Sequence, residues 1–162
     1  EFISACDKGF KSMMAKGRLV EAPITMVKIT LNDGKAHSVD SSDVAFQEAA
    51  RGAWRQAYER AKPIILEPVM KVQIEGPIEF HGGMVATMMQ RRGVVSGVHE
   101  EANYCQIDAE VPLSEMFGYA TIIRSATQGK AEFTMEFARY APVPNNVQTE
   151  IMEQWQKEKD AK

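Results

Sequence analysis

Cysteine and long apolar runs are the scarcest features of this sequence. Its 162 residues contain two cysteines, Cys6 and Cys105, which are too few and too far apart for a disulfide framework or a cysteine-based zinc site. No apolar run approaches the roughly 18 residues that a membrane-spanning helix needs, and the N-terminus lacks the regions of a signal peptide. These absences exclude an integral membrane protein and fit a reducing compartment.

The motifs of common enzymes are absent as well. The sequence has no G-x-x-x-x-G-K-[ST], G-x-G-x-x-G, G-x-S-x-G or H-E-x-x-H pattern. Its three histidines, His37, His81 and His99, fall near turns or element ends, where an isolated histidine is usually solvated. Carboxylates that could be paired on paper are better explained as solvated side chains; they are Asp108, Glu110, Glu115 and Glu132. We therefore expect no catalytic residue, metal site or cofactor in this chain.

The overall composition is that of an ordinary globular protein. Hydrophobic residues make up 44% and charged residues 25%, and the length suits one domain or two small ones. The net charge of −3 argues against sequence-independent coating of nucleic acid, but it leaves room for local basic patches. The first residue is Glu1 rather than Met, so we expect the chain to be part of a longer one.

The first part of the chain alternates helical and strand-like patterns. Helical spacing predicts a helix over residues 1–16, and β-rich composition predicts a strand over 24–31. Asn32-Asp33-Gly34 then marks a tight turn, from which residues 35–39 return as a shorter extended piece. The longest helix follows and stops at Pro63, with Asp40 or Ser41 able to cap its free N–H groups.

The second part has the pattern of a compact α/β module. Strands are predicted at 64–76, 94–98, 104–111 and 130–140, and helices at 78–90 and 113–127. Residues 68–140 therefore have the strand–helix–strand–strand–helix–strand order of a ferredoxin-like domain. After it, Val147, Ile151 and Trp155 at a spacing of four predict a C-terminal helix. The domains expected are residues 1–66, 67–140 and, for this helix, 141–162.

The last predicted strand loosely resembles the aromatic motif of RNA-recognition modules. However, Phe133 and Phe137 share a face with Met135, which we expect in the core. The opposite face carries Glu132 and Glu136, whose charge would repel phosphate. The sequence therefore argues against RNA binding on this sheet face.

Two basic turns at predicted helix ends are better candidates for nucleic-acid contact. They are Arg91-Arg92-Gly93 and the stretch from Arg124 to Lys130. Such turns can offer backbone N–H groups and bidentate arginine to phosphates. The alternative is plain helix capping and compensation of the helix dipole, which spacing alone favours.

Several long motifs stand in a fixed order along the whole chain. They are Val39-Asp40-Ser41-Ser42 with Ala45-Phe46, Leu66-Glu67-Pro68-Val69-Met70, Arg91-Arg92-Gly93, Val111-Pro112-Leu113-Ser114-Glu115-Met116-Phe117-Gly118-Tyr119-Ala120-Thr121 with Arg124-Ser125 and Thr127-Gln128-Gly129, and Phe133-Thr134-Met135-Glu136-Phe137. Together they closely resemble the C-terminal region of elongation factor G, the translocation GTPase. The resemblance runs essentially from end to end.

This resemblance implies an α+β architecture in two modules. Residues 1–66 resemble the second half of domain IV, a partial ribosomal-protein-S5-like α/β domain, and residues 67–140 resemble the ferredoxin-like domain V. The GTPase domain that binds GTP and Mg in the family has no counterpart here, so we expect no GTP binding or hydrolysis by this chain. The parent protein would be cytoplasmic and would drive GTP-dependent movement of tRNA and mRNA on the ribosome, with no membrane partner.

The resemblance also implies specific binding residues. His37 matches the histidine at the tip of domain IV, which reaches the decoding region of the small subunit and follows the tRNA–mRNA duplex. Arg124, Ser125 and Gln128 match contacts to the sarcin–ricin loop of the large subunit. In the Arg91-Arg92 pair, Arg92 matches a contact to the rRNA of the stalk base. This shifts both basic turns towards an rRNA-binding role.

The sequence departs from the usual family pattern after Phe80. Gly83 and Thr87 stand where acidic residues are common, which would remove negative charge near an rRNA-facing helix. This departure leaves open a divergent paralogue that acts in ribosome recycling. A further alternative is a ferredoxin-like regulatory or protein-interaction module without ribosome binding, which a small-molecule site near Gly82-Gly83 would support.

Overall fold

A computed structural model describes residues 2–162 and divides the chain into two compact units. Unit 1 comprises the chain up to Ile65 together with Pro144–Lys162, and unit 2 comprises Leu66–Val143. The chain thus passes through unit 2 and returns to unit 1 for its last helix.

The elements alternate along the chain much as the periodicity indicates. Unit 1 contains α1 (Ile3–Met13), α2 (Asp43–Arg60) and α5 (Asn145–Asp160). Unit 2 contains β1 (Leu66–Pro77), α3 (His81–Met89), β2 (Val94–Glu101), β3 (Tyr104–Pro112), α4 (Tyr119–Ala126) and β4 (Glu132–Pro142). Every helix within residues 2–162 is too short or too polar to cross a bilayer.

Unit 2 folds around one antiparallel sheet with the strand order β2-β3-β1-β4. Val72 lies opposite Ala109 and Ile74 opposite Ile107, so the apolar positions of β1 and β3 share one face. That face, α3 and α4 enclose the core, whose buried members are Val72, Ile74, Met84, Met88, Cys105, Ile107, Ala109, Val111, Met116, Tyr119, Ile123 and Ala131. The predicted ferredoxin-like fold is confirmed.

The register of β4 decides which face its aromatic residues occupy. Phe133 lies opposite Ile74, and Met135 lies opposite Val72, so both point to the core side of the sheet. On the other side, the Nζ atom of Lys71 is 3.8 Å from a carboxylate oxygen of Glu136. The shared face is therefore confirmed, but the expectation that Met135 lies in the core is wrong, because Met135 and Phe137 stay exposed and only Phe133 packs against the core.

Both helices of unit 2 are shorter than the sequence predicts. Short 3-10 turns form at Ile78–Phe80 and at Leu113–Glu115. Between the second turn and α4, Gly118 adopts a left-handed conformation with φ of 77°. Glycine takes this conformation without steric cost, so the chain changes direction there and α4 begins only at Tyr119.

In unit 1, α1 and α2 pack closely against each other. A Cβ atom added at Gly9 would lie 2.5 Å from the backbone oxygen of Gln47, so only glycine fits at this crossing. The N-cap of α2 is Ser42, whose Oγ accepts a hydrogen bond from the Ala45 N–H at 3.1 Å. The prediction of Asp40 or Ser41 as the N-cap is therefore wrong. Instead, the Ser41 hydroxyl accepts the N–H of His37 at 2.7 Å.

The predicted strands before α2 do not form. Residues 22–42, all of them described, contain neither strand nor helix, and Asn32–Gly34 make no tight turn. The apolar side chains of this stretch stay partly exposed, as at Ile29 and Leu31. Strand propensity alone does not suffice, because an extended segment needs neighbouring strands to pair its backbone groups, and an isolated hairpin is marginal in water.

The predicted C-terminal helix is confirmed as α5, with Val147, Ile151 and Trp155 half-buried. The side-chain oxygen of Gln148 accepts a hydrogen bond from the Ile65 N–H at 3.0 Å. Near its other end, the Nζ of Lys159 lies 3.6 Å from a carboxylate oxygen of Glu21. These contacts join α5 to the rest of unit 1.

Candidate nucleic-acid interface

The first basic turn closes α3. The Gly93 N–H donates to the Met88 carbonyl at 3.0 Å, across a left-handed residue, which is the Schellman arrangement. That left-handed residue is Arg92, with φ of 55°, and not the glycine. Gly93 is needed for another reason, since a Cβ atom there would lie 2.6 Å from the Met88 carbonyl oxygen.

The Arg92 side chain is held by two carboxylates of unit 2. Its Nη1 and Nη2 atoms donate to the two oxygens of Glu67 at 2.7 and 2.9 Å, and its Nε donates to Glu115 at 3.1 Å. The hydrogen bonds to Glu67 raise the pKa of Arg92 above its already high ordinary value, while partial burial acts in the opposite direction. The guanidinium of Arg92 is therefore already engaged within unit 2.

Arg91 has different surroundings. Its Nη1 donates to the Thr87 carbonyl at 3.2 Å, and its guanidinium carbon lies 5.1 Å from the centre of the Tyr119 ring. Its Nε is buried and has no hydrogen-bond partner within residues 2–162. Arg91 therefore caps α3 without giving up its charge to a carboxylate.

The second basic turn closes α4 through two successive left-handed residues, Gln128 and Gly129. The Gly129 N–H donates to the Arg124 carbonyl at 2.8 Å, and the Lys130 N–H to the Thr127 carbonyl at 3.0 Å. Buried Thr127 donates its hydroxyl to the Ile123 carbonyl at 2.6 Å and accepts the Ala131 N–H at 3.2 Å. The backbone N–H groups that such a turn could offer to a phosphate are therefore largely occupied, as the capping alternative expects.

The side chains of this turn remain available. Arg124, Ser125 and Gln128 are all exposed within five residues of chain. Within residues 2–162, no acidic side chain forms an ion pair with Arg124. Lys130, next in the chain, is shared between Glu79 at 3.1 Å and the ring of Phe80. Recognition of an anion here would rest on side chains, with Arg124 as the uncompensated positive charge.

His37 lies in unit 1, apart from both turns along the chain. It is exposed, in the irregular stretch before α2, and its backbone N–H donates a hydrogen bond to the Ser41 hydroxyl.

The other two histidines, His81 and His99, have different surroundings. The Nε2 of His81 is buried without a partner among the described residues, so the expectation of a solvated His81 is wrong at that atom. The Nε2 of His99 lies 3.5 Å from a carboxylate oxygen of Asp108.

The departure from the family pattern also has a structural consequence. Thr87 is buried, and its hydroxyl lies 2.8 Å from the phenol oxygen of Tyr119. Thr87 therefore lies in the core of unit 2, whereas Gly83 is exposed, so the loss of an acidic side chain from the surface at residue 83 stays a prediction. At Gly83 a Cβ atom would be 3.8 Å from the Ala126 carbonyl oxygen, so the glycine is not required for space.

The sequence did not indicate which carboxylates form ion pairs with the turn after α3. Glu67 and Glu115 each stand in a recognised motif, but no local pattern indicates that they meet at Arg92. Glu110, expected to be solvated, forms an ion pair with Arg139. Among residues 2–162, no group of three His, Cys or acidic side chains is placed to hold a metal ion.

Comparisons with protein families divide the chain in two. Residues 1–62 match the family model described as elongation factor G, domain IV, and residues 64–151 match the model described as elongation factor G C-terminus. The second match alone covers more than half of the chain.

Individual proteins agree with this result. The chain is 59% identical over 152 residues to elongation factor G 2 of Anaeromyxobacter dehalogenans, covering 94% of the chain and 22% of that protein. It is 52% identical over 161 residues to elongation factor G 1 of Treponema pallidum, covering 99% of the chain and 23% of that protein. A crystal structure from Thermus thermophilus superposes with a TM-score of 0.85 at 33% identity, over 96% of this chain and 24% of that one. The chain thus spans less than a quarter of the length of these relatives.

Proposed function

The chain belongs to the elongation factor G family, and from this premise we propose that it is the ribosome-binding C-terminal part of a translation elongation factor. In the parent protein, GTP hydrolysis in another domain would drive movement of tRNA and mRNA. This part would supply an rRNA anchor in unit 2 and a lever towards the decoding region in unit 1. It would contribute binding and not catalysis.

The observation that carries the proposal is the exposed Arg124 at the end of α4, which has no ion-pair partner among residues 2–162. Beside it, Ser125 and Gln128 offer a hydroxyl and an amide, which suit the phosphate and ribose groups of an RNA loop. The internal hydrogen bonds of Thr127 hold the turn, so these side chains are presented from a defined backbone. We assign the contact with the sarcin–ricin loop to these three residues.

The turn from Arg91 to Gly93 would contact the rRNA of the stalk base. Its backbone is fixed by the bond from Gly93 to Met88 and by the ion pairs of Arg92. In unit 1, the exposed His37 would approach the tRNA–mRNA duplex in the decoding region. These partners belong to the cytoplasmic ribosome, and the binding requires no cofactor in this chain.

Footprinting of ribosomal RNA with an excess of the chain tests the proposal. We expect the wild-type chain to protect the sarcin–ricin loop from chemical modification, and Arg124→Ala to lose that protection. The matched control is Arg139→Ala, which removes the same charge from unit 2 at a position already paired with Glu110. The control should keep the protection.

The salt dependence of binding gives a second criterion. Each phosphate contact contributes about 0.7 to 0.9 to the slope of log K against log salt concentration. Arg124→Ala should reduce the slope by about this amount, and Arg139→Ala should leave it unchanged. Equal protection and equal slopes for Arg124→Ala and the wild-type chain would refute the assignment.

A further inference from the structure

Arg91 and Arg92 are neighbours in sequence, but only one of them has its charge compensated. Every nitrogen of the Arg92 guanidinium donates a hydrogen bond to a carboxylate, two of them in a bidentate pair with Glu67. We call Arg92, Glu67 and Glu115 the Arg92 cluster. It holds one positive and two negative charges, so its net charge is negative. It has no positive charge left for a phosphate.

If Arg92 bound an RNA phosphate instead, the carboxylate of Glu67 would lose its ion-pair partner. The side chain of Glu67 is only 12% exposed, so breaking its pair with Arg92 would leave a largely desolvated negative charge without a partner. A bidentate arginine–carboxylate pair is among the strongest side-chain interactions. Both considerations favour the pairing of Arg92 with Glu67 over a contact of Arg92 with RNA.

The Arg92 cluster joins three separate pieces of unit 2. Glu67 lies at the start of β1, Arg92 in the turn after α3, and Glu115 in the 3-10 turn after β3. In addition, the backbone of Arg92 is left-handed, which is unfavourable for a residue with a side chain. The ion pairs with Glu67 and Glu115 can offset this cost, and with Arg92 in this conformation the Gly93 N–H donates to the Met88 carbonyl at 3.0 Å.

Arg91 stands on the same turn with its charge uncompensated. Within residues 2–162 Arg91 forms no ion pair. Its guanidinium donates a hydrogen bond to the backbone carbonyl of Thr87 and lies over the ring of Tyr119. These contacts orient the guanidinium without neutralising it. A phosphate close to this turn would therefore meet the positive charge of Arg91.

We propose that Arg92 is a positioning residue that holds the turn after α3 through Glu67 and Glu115, and that Arg91 is the residue of this pair that binds RNA phosphate. The proposal rests on the proposed function and specifies its contact with the stalk base. It differs from the sequence resemblance, which points to Arg92 itself as the contact.

Replacing the carboxylate of Glu67 should change the protection of stalk-base rRNA in opposite directions, depending on whether Arg92 binds RNA or positions the turn. If Arg92 bound RNA, Glu67→Gln would release its charge, strengthen protection of stalk-base rRNA and steepen the salt dependence. If Arg92 positions the turn, Glu67→Gln should weaken protection severalfold, as Arg92→Gln does. The double variant should then be no weaker than Arg92→Gln alone, because Arg92→Gln already breaks the pair with Glu67. Arg91→Gln should lower the salt slope by about 0.7 to 0.9.

A measurement without RNA tests the positioning role on its own. Hydrogen exchange of the Gly93 amide, followed by NMR, should accelerate in Glu67→Gln and Arg92→Gln but stay unchanged in Arg91→Gln. Glu115→Gln removes a single, more exposed partner, and it provides a milder variant if Glu67→Gln fails to fold. It should change Gly93 exchange in the same direction.

The outcomes separate this inference from the proposed function. Stronger rRNA protection by Glu67→Gln, or by Glu115→Gln, overturns the positioning role of Arg92. Unchanged Gly93 exchange in the folded carboxylate variants overturns it as well. If the wild-type chain protects no stalk-base rRNA, the proposed contact fails and the RNA role of Arg91 fails with it, whatever the exchange data show for Arg92.

Discussion

The phenol of Tyr119 donates a hydrogen bond to the hydroxyl of Thr87 over 2.8 Å in the core of unit 2. The direction follows from Met84, because the single hydroxyl hydrogen of Thr87 is already donated to the Met84 carbonyl at 2.7 Å. The backbone carbonyl of Thr87 in turn accepts a hydrogen bond from Arg91, whose guanidinium lies over the Tyr119 ring. One buried pair thus joins α3, α4 and the first basic turn.

Removing the phenol hydroxyl should destabilise unit 2 modestly. Tyr119→Phe keeps the ring in place but loses the hydrogen bond, so we expect the free energy of unfolding to fall by about 1 kcal/mol. Urea denaturation measures this change. Tyr104→Phe is the matched control, since Tyr104 is 57% exposed. Equal midpoints for both variants would show that the bond contributes nothing to stability.

Unit 2 should lose stability at alkaline pH. Burial raises the pKa of Tyr119 above 10.0, and burial together with Glu100 raises the pKa of Cys105 above 9.0. The folded state therefore holds both protons at pH values where the unfolded state has released them. The two buried groups contribute fully to the free energy of unfolding below about pH 9. This contribution decreases as the pH rises through their pKa values in the folded state.

Urea unfolding at pH 8 and pH 11 tests this dependence. The wild-type chain should lose more stability between these values than a Cys105→Ala/Tyr119→Phe variant, because the variant lacks both buried groups. The expectation fails if the two chains lose the same amount. It also fails if the wild-type chain becomes more stable at the higher pH.

Two glycines of the α3 region should respond to alanine in opposite ways. A Cβ atom at Gly93 would meet the Met88 carbonyl oxygen at 2.6 Å, so Gly93→Ala should destabilise unit 2 by more than about 1 kcal/mol. Gly82 lies in α3 with open space at its Cβ position, so Gly82→Ala should be neutral or stabilising by up to about 1 kcal/mol. Thermal unfolding of both variants would show the difference. Similar shifts would mean that the turn adapts to a side chain at residue 93.

The first 65 residues should exchange faster than unit 2. The stretch from 22 to 42 forms no sheet, and Ile29, Leu31 and Val39 remain exposed, whereas unit 2 has a closed core. Hydrogen exchange with mass spectrometry should show weaker protection of α1 and α2 than of β1 and β3. Equal protection would reject this expectation.

Thiol labelling provides an independent measurement, because each unit holds one buried cysteine. We expect Cys6 to react faster than Cys105, as unit 1 opens more often. Single-cysteine variants, Cys105→Ala and Cys6→Ala, assign each rate to its unit.

His37→Ala should slow translocation in the full-length parent and leave folding intact, because the side chain is exposed. Single-turnover measurement of mRNA movement tests the first part, and circular dichroism tests the second. The control is His99→Ala, an exposed histidine of unit 2, which should move mRNA at the normal rate. A normal rate for His37→Ala would remove the residue from the proposed decoding contact.

Local pattern was sufficient for most of unit 2. The alternation of Val72 and Ile74 with polar neighbours, and the helical spacing before Arg91, predicted the elements and the ferredoxin-like order that the structure shows. These signals work because the periods of strand and helix are properties of nearby residues. The ordered motifs, spread over the whole chain, identified the family in the same way.

Contacts between distant residues were decided only in three dimensions. The β-rich residues 24–31 satisfy every local criterion for a strand, yet they form none, because a strand depends on partners supplied from elsewhere. The role of Arg92 depends on Glu67, 25 residues earlier in the chain, and on Glu115, 23 residues later. The sequence by itself determined the family, the order of elements in unit 2 and the location of the basic turns. Tertiary structure decided which of those charges is neutralised, because charge compensation depends on distance in space and not along the chain.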